Sequence, residues 1–261
     1  MTVLIHELKR SRLSWIIWSA AISFMLGVCV IIYPEMSSQM GDIGAMFSDM
    51  GAFSEAFGMD QLNFGEFTDY FGIECGNSLG LGGALFAAIT GISVLVKEEK
   101  DHTAELLLTH PISRAQIVTE KLLSVLAQLL ILNLSVIAVS AVSVLIIGEK
   151  TDVGKLALLF LANFLLQLEI AAITFCLSAV LRRGGLGIGL GLSLALYFLN
   201  ILANLSEKTE FLKYLTPFGY TDGSYIIKNG TIEFRYLIPG MVISAICIVM
   251  TYKHYAAKDI T

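Results

Sequence analysis

The sequence predicts an all-α integral membrane protein with six transmembrane helices, and two observations carry this prediction. The first is composition: 56% of the 261 residues are hydrophobic and only 15% are charged. A soluble domain carries about 25% charged residues, so this chain would have too few polar groups to cover its surface in water. The second is that six apolar runs are long enough, or nearly so, to cross a hydrocarbon core about 30 Å thick.

The six predicted spans belong to one membrane domain that takes up the whole chain, residues 1–261. They are residues 14–33, 75–96, 122–147, 156–181, 184–205 and 236–252. The last run is the shortest, and Pro239 near its start makes its boundary the hardest to place, because proline disturbs helices.

Segments rich in basic residues alternate with acidic segments between the spans, and this alternation predicts the orientation of the chain in the membrane. Residues 34–74 carry eight acidic residues and no Lys or Arg. Basic residues instead occur before span one, between spans two and three, between spans four and five, and in the tail. The positive-inside rule therefore places both termini in the cytoplasm of a multi-pass cell-membrane protein. Residues 206–235 are an exception, because they are external in this topology and yet hold four basic residues.

The acidic outer segment 34–74 contains Met and Phe at roughly helical spacing between acids and glycines. This pattern predicts short amphipathic extracytoplasmic helices that lie on the membrane face or cap the spans. This segment has two possible interpretations: a lid with a packing role, or a surface that contacts substrate.

The polar segment between spans two and three has its own local signals. Pro111 ends the preceding helix, and Ser113 stands three residues before Gln116, the spacing of a capping box. A helix therefore begins at Ser113 and continues into span three. Upstream, residues 103–109 predict one or two turns of amphipathic helix. From these local signals alone, this segment is either a contact surface on which a partner protein acts or a simple connection between spans two and three.

The same segment resembles a known family. "EEKDHTAELLLTHPISRAQIVTEKL" is similar to the cytoplasmic signature of type-two ABC exporter permeases, with an acidic pair, a Thr, Glu-Leu-Leu-Leu, a Pro-hydrophobic-Ser-Arg turn and a Lys opening the next span. "HELKRSRLSWIIW" resembles the family's amphipathic N-terminal elbow helix, and "FLKYLTPFGYTDGSYIIKNGTI" its external segment before the last span. One departure is His102, which stands where such permeases often have Gly.

The resemblance implies the permease subunit of an ABC exporter, which moves an unidentified substrate out of the cytoplasm. The chain has no phosphate-binding loop of its own: "GEKTDVGKL" has five residues between its glycines instead of four, and Leu follows its Lys. The chain is therefore not expected to be an enzyme or to hold a cofactor. ATP and Mg²⁺ would bind a separate cytosolic ATPase subunit. A second permease copy is also implied, as a homodimer or as a heterodimer with another permease.

The resemblance further implies that the segment between spans two and three is a coupling helix that contacts the ATPase. The residues expected at this contact are Glu98, Glu99, Thr103, Glu105, Leu106, Leu107, Leu108, Pro111, Ser113 and Arg114.

Glu169 is the only acidic or basic residue inside a predicted span. A charge at the bilayer centre costs about 2.5–3.5 kcal/mol even on the mildest scale, so Glu169 must face protein or water, or stay protonated. It is either a cavity residue that binds a cation or polar group, or a protonated structural residue hydrogen-bonded to a neighbour. The candidate neighbours are Asn133, Asn163 and Asn200.

Two other function classes stay open from the sequence alone. A stand-alone proton-coupled carrier would use Glu169 as its relay, and a membrane scaffold or sensor would transport nothing. The four His residues and four Cys residues are scattered without ligand spacing, which predicts no metal site. No basic face for nucleic acid is present.

Small residues recur four positions apart in spans two and five, as in the pairs Gly185 with Gly189 and Gly187 with Gly191. Such faces let membrane helices pack closely. They predict either close packing within the chain or the seam of a dimer.

Overall fold

The computed structural model describes residues 2–37, 66–100, 113–181 and 185–257. All regular secondary structure in these ranges is helical, and six helices have the length and apolar composition to cross a membrane. The predicted all-α, six-span class is therefore confirmed.

The helices have the following bounds. They are α1 Thr2–Arg10, α2 Arg12–Ser37, α3 Phe67–Cys75, a π-helical stretch Gly76–Leu81, α4 Gly82–Lys100, α5 Arg114–Ile147, α6 Val153–Val180, α7 Gly185–Asn204, 3₁₀ segments Glu207–Leu215 and Pro217–Tyr220, α8 Gly223–Asn229 and α9 Phe234–Ala257. Helix α2, the continuous unit α3–π–α4, and helices α5, α6, α7 and α9 are spans one to six.

Span two begins earlier than the sequence predicts. Residues 67–74, which the hydropathy assigns to the outer segment, form α3 and continue without a break into the span. The reason is aromatic packing, since the Phe67 and Tyr70 rings each lie 5.1 Å from the Tyr33 ring of α2. The remainder of the predicted outer amphipathic helices, residues 38–65, lies outside the described residues.

Span six is longer than predicted, because α9 has 24 residues and Pro239 lies inside it. Proline is tolerated in membrane helices where neighbouring groups satisfy the freed backbone.

Helix α6 lies at the centre of the bundle and packs mainly against α4 and α9. Glycines of α4 allow this close approach: a Cβ at Gly91 would lie 2.2 Å from Thr174 Oγ1 and 2.7 Å from the Ala171 carbonyl oxygen. Packing of small residues, rather than exclusion of water, holds helices together inside a bilayer.

The glycines of α7 divide into two sets. Gly185 and Gly189 face Ile92 of α4, where added Cβ atoms would lie 2.8 and 3.0 Å from its side chain. Gly187 and Gly191 are exposed, and a Cβ at either would have nothing within 4 Å among the described residues. The first pair packs within the chain, and the second pair forms an open face.

The "GEKTDVGKL" stretch is a turn between two helices. Gly148 ends α5 in the left-handed conformation, with φ 70°. Asp152 caps α6 by accepting hydrogen bonds from the backbone N–H groups of Gly154 at 3.0 Å and Lys155 at 3.2 Å. Helix capping explains this stretch without any phosphate ligand.

Candidate functional site

The structure reaches only part of the predicted partner contact. Glu98 and Glu99 lie on the last turn of α4, whereas Thr103, Glu105, Leu106, Leu107, Leu108 and Pro111 lie outside the described residues. Ser113 and Arg114 begin α5. The described geometry therefore concerns the two helix ends that border the predicted coupling segment, which are the end of α4 and the start of α5.

The predicted start of α5 is confirmed. Ser113 is the N-cap, and its hydroxyl oxygen accepts a hydrogen bond from the Gln116 backbone N–H at 3.2 Å. The Gln116 side chain also contacts Glu120, with its amide N–H donating to Glu120 Oε1 at 3.1 Å. The helix therefore starts at a defined residue and runs 34 residues without interruption.

Arg114 connects the start of α5 to the end of α9. Its guanidinium donates to the carbonyl oxygens of Ala256 at 2.9 Å and Tyr255 at 3.4 Å. A cation at a helix C-terminus satisfies unpaired carbonyls and complements the helix dipole. One turn along, Thr119 Oγ1 and Tyr252 Oη are 2.7 Å apart in a second hydrogen bond between the same helices. Arg114 thus has a structural contact within the chain, and its contact with a partner stays a prediction.

Glu120 accepts hydrogen bonds from the N-terminal end of helix α1. Its Oε2 accepts hydrogen bonds from the backbone N–H groups of Val3 at 3.0 Å and Leu4 at 3.2 Å. These are among the first N–H groups of α1, which have no partner within that helix. A carboxylate at this position also complements the positive end of the helix dipole. Glu120 is itself 5% exposed, so the contact is enclosed.

Lys121 is the most deeply enclosed charged residue of this region, with no exposed side-chain surface. Its ammonium donates to Glu7 Oε1 of α1 at 3.2 Å and to the Val94 carbonyl oxygen of α4 at 2.6 Å. Charges are rarely buried unless they are paired, and here both charges of the pair are buried. One side chain therefore joins the end of span two, the start of span three and α1.

We call Glu7, Arg114, Glu120 and Lys121, with their backbone partners, the clamp. It fastens α1, the end of α4 and the end of α9 to the first eight residues of α5. The resemblance pointed to Arg114 and to Lys121, which is the Lys that opens span three, but it missed Glu7 and Glu120. The one available signal for Glu7 was an acidic residue inside the basic, amphipathic stretch "HELKR".

Glu169 lies apart from the clamp, where α6 faces α9. It is fully buried, and Gly240 of α9 lies against it: a Cβ at that position would be 2.1 Å from Oε2. The Tyr220 hydroxyl faces the carboxyl group, although the two do not meet with hydrogen-bond geometry. Burial, with the neighbouring Glu169 as a further cause, holds the pKa of Tyr220 well above its usual range.

Two of the three asparagines expected to bind Glu169 make other contacts, and the third, Asn200, lines a separate cavity. Asn133 donates to Gln167 Oε1 at 2.6 Å, and Asn163 donates to the Leu159 carbonyl oxygen at 2.9 Å. Neither oxygen of Glu169 has a hydrogen-bond partner among the described residues. No described group of three or more His, Cys, Asp and Glu residues could hold a metal ion.

Comparison with known proteins covers nearly the whole chain. The model of the family described as "ABC-2 family transporter protein" matches residues 1–259. A curated relative, "Uncharacterized protein YhcI" of Bacillus subtilis (strain 168), is 25% identical over 201 residues. This alignment covers 67% of the present chain and spans 64% of the relative's length.

Proposed function

The chain belongs to the ABC-2 family of transporter proteins, and from this premise we propose that it is the permease subunit of an ABC exporter. It forms the membrane path of the transporter and receives the energy of ATP hydrolysis from a separate cytosolic ATPase. Its substrate leaves the cytoplasm when the spans change their arrangement.

The clamp is the observation that carries the proposal. A permease driven by a partner must transmit movement at the contact to several spans at once. The helix that leaves the predicted coupling segment enters span three without a break and is joined by side chains to α1, α4 and α9. Displacement of its first turn therefore acts on spans two, three and six together. A simple connection would need none of these polar contacts, of which those made by Lys121 are buried.

The proposal predicts that Leu107→Asp abolishes ATPase binding. In the proposed contact, Leu106 to Leu108 fill a groove on the partner, where one buried leucine contributes about 1.5–3 kcal/mol. An aspartate there would be a buried charge without a counter-ion. The measurement is pull-down of the partner ABC ATPase from the producing cell by the tagged, detergent-solubilised permease.

Glu105→Ala is the matched control for that experiment, since an exposed ion pair at the rim of a groove contributes only about 0–1 kcal/mol. It should retain most of the ATPase. Both variants should insert normally into the membrane, which protease protection checks. Full ATPase retention by Leu107→Asp would show that the segment is only a connection.

The proposed orientation places the clamp and both termini in the cytoplasm. The basic residues of segment 206–235 do not weigh heavily against it, because Arg235 is paired with Glu233 and lies 3.0 Å from Glu210. These acids neutralise part of the external positive charge.

Labelling of single introduced cysteines tests this orientation. A thiol reagent that cannot cross the membrane should reach Thr231→Cys from outside intact cells and should fail to reach Thr103→Cys. Substitution of the four native cysteines by serine provides the background. External labelling at residue 103 would reverse the orientation and remove the ATPase contact from the cytosol.

A second copy of the chain completes the proposed transporter. The open glycine face of α7, at Gly187 and Gly191, supports a seam there, because small exposed residues let two membrane helices approach closely. A homodimer is the simplest assembly that uses this face.

A further inference from the structure

A small, partly open cavity with a mixed polar and apolar lining lies within the chain, away from the clamp. It occupies about 70 Å³ where the π-helical stretch of span two, the end of α7 and the segment 218–224 meet. Its polar lining consists of three amides, a phenol, two hydroxyls and one carboxylate. They belong to Asn77, Asn200, Asn204, Tyr197, Thr221, Ser224 and Asp222.

The elements that form the walls of this cavity are closely packed. Helix α8 approaches α3 through a glycine pair, since a Cβ at Gly223 would lie 2.8 Å from the Gly72 carbonyl oxygen. On another side, the Tyr197 and Phe218 rings meet edge to face at 5.3 Å. The π-helical stretch Gly76–Leu81 contributes Gly76 and Asn77 to the wall. Such π-helical turns are rare in proteins, and those that occur often lie at functional sites.

Three side chains of the lining keep acceptor capacity on oxygen, beside the N–H donors of its three amides. Asn200 Oδ1 is buried and has no hydrogen-bond partner among the described residues. Asp222 Oδ1 accepts from the backbone N–H of Ser224 at 2.9 Å and from its hydroxyl at 2.6 Å, and neither bond uses Oδ2. The Thr221 hydroxyl donates its proton to the Phe218 carbonyl oxygen at 2.9 Å, which leaves its oxygen lone pairs as acceptors.

We propose that this cavity binds a small monovalent cation, an alkali metal ion or a primary ammonium group. Asp222 supplies the balancing charge, and Asn200 Oδ1 and Thr221 Oγ1 supply neutral oxygen ligands. Asp222 is the only charged residue lining the cavity among the described residues, so a single positive charge is neutralised and an anion is repelled. Divalent Ca²⁺ is bound by six to eight oxygens that include carboxylates, and one carboxylate is a poor match for it. This site does not depend on the proposed coupling to an ATPase.

The test is thermal unfolding of the purified, detergent-solubilised chain in four chloride salts at equal ionic strength. The cations are choline, sodium, potassium and methylammonium. A ligand that binds the folded state raises the Tm, and we expect a rise of about 3 °C or more over choline. A larger rise with sodium or potassium identifies a metal-ion site, and a larger rise with methylammonium identifies an amine site.

Asp222→Asn is the decisive variant, because asparagine caps a helix as well as aspartate does but carries no charge. It should keep the fold and lose the cation-dependent rise in Tm. Asp152→Asn makes the same change at the cap of α6, which does not line the cavity, and it should retain the full rise. Equal Tm values for the unmodified chain in all four salts, or an unchanged rise in Asp222→Asn, would overturn the proposal.

Discussion

Replacing Lys121 with methionine is expected to destabilise the protein by about 3–5 kcal/mol, because it leaves the Glu7 carboxylate buried without its counter-ion. The Val94 carbonyl oxygen would lose its hydrogen bond from Lys121 in the same step. The measurement is the Tm of the purified chain in detergent. Lys150→Met removes a lysine from an exposed position in the α5–α6 turn and should leave the Tm nearly unchanged.

A double variant separates the stability of the clamp from its proposed role in coupling. When both members of a buried ion pair are replaced by apolar residues, stability is often regained. Glu7→Leu combined with Lys121→Met should therefore recover much of the Tm. If the clamp transmits movement, this double variant should bind the ATPase and hydrolyse ATP with reduced transport. Full transport by the double variant would limit the ion pair to a structural role, and an unchanged Tm in Lys121→Met would contradict its burial.

The contact between Gly240 and Glu169 predicts the second large effect. Gly240→Ala places a Cβ 2.1 Å from Glu169 Oε2, and the carboxyl group has no exposed surface through which to move away. Overpacking of this kind costs about 1–3 kcal/mol, which exceeds the gain of up to about 1 kcal/mol from replacing glycine by alanine in a helix. We expect a lower Tm. Gly191→Ala adds the same Cβ where nothing described lies within 4 Å, and it should show only the gain when the Tm is measured on the monomeric fraction, because Gly191 belongs to the proposed seam.

Two second-site variants identify the cause of that loss. Glu169→Ala should rescue Gly240→Ala because it removes the clashing carboxyl group, whereas Glu169→Gln keeps its size and should not rescue it. Glu169→Gln alone should insert and assemble normally. A fall in its transport would support a cavity role for the carboxyl group, and unchanged transport would support a structural one. Rescue of Gly240→Ala by Glu169→Gln would show that charge, rather than volume, causes the defect.

The features that the sequence predicted correctly have local causes. Each span is a continuous apolar run, and the start of α5 follows from the hydroxyl of Ser113 three residues before Gln116. The early start of span two was missed because Asp69 and Glu74 interrupt the hydropathy there. Packing of Phe67 and Tyr70 against Tyr33 overrides that signal, and it becomes visible only when spans one and two are side by side.

The clamp and the surroundings of Glu169 could not be predicted for the same reason. Glu7 and Lys121 are 114 positions apart, and no periodic pattern connects residues at that separation. Glu169 itself stood out as an acid in an apolar run, but its contact with Gly240 depends on the packing of two distant helices. A charge in an apolar run thus marks a residue of interest without revealing its partner.

The length of α5 has a mechanical consequence. At about 1.5 Å per residue, its 34 residues form a rod about 51 Å long, well beyond a hydrocarbon core of about 30 Å. Lys121 fastens this rod to α1 and α4, with about 11 Å between it and Arg114 on one side and about 39 Å between it and Ile147 on the other. If the rod stays rigid, it works as a lever with unequal arms. A sideways shift of about 1 Å at Arg114 reaches Ile147 as a swing of about 4 Å in the opposite direction.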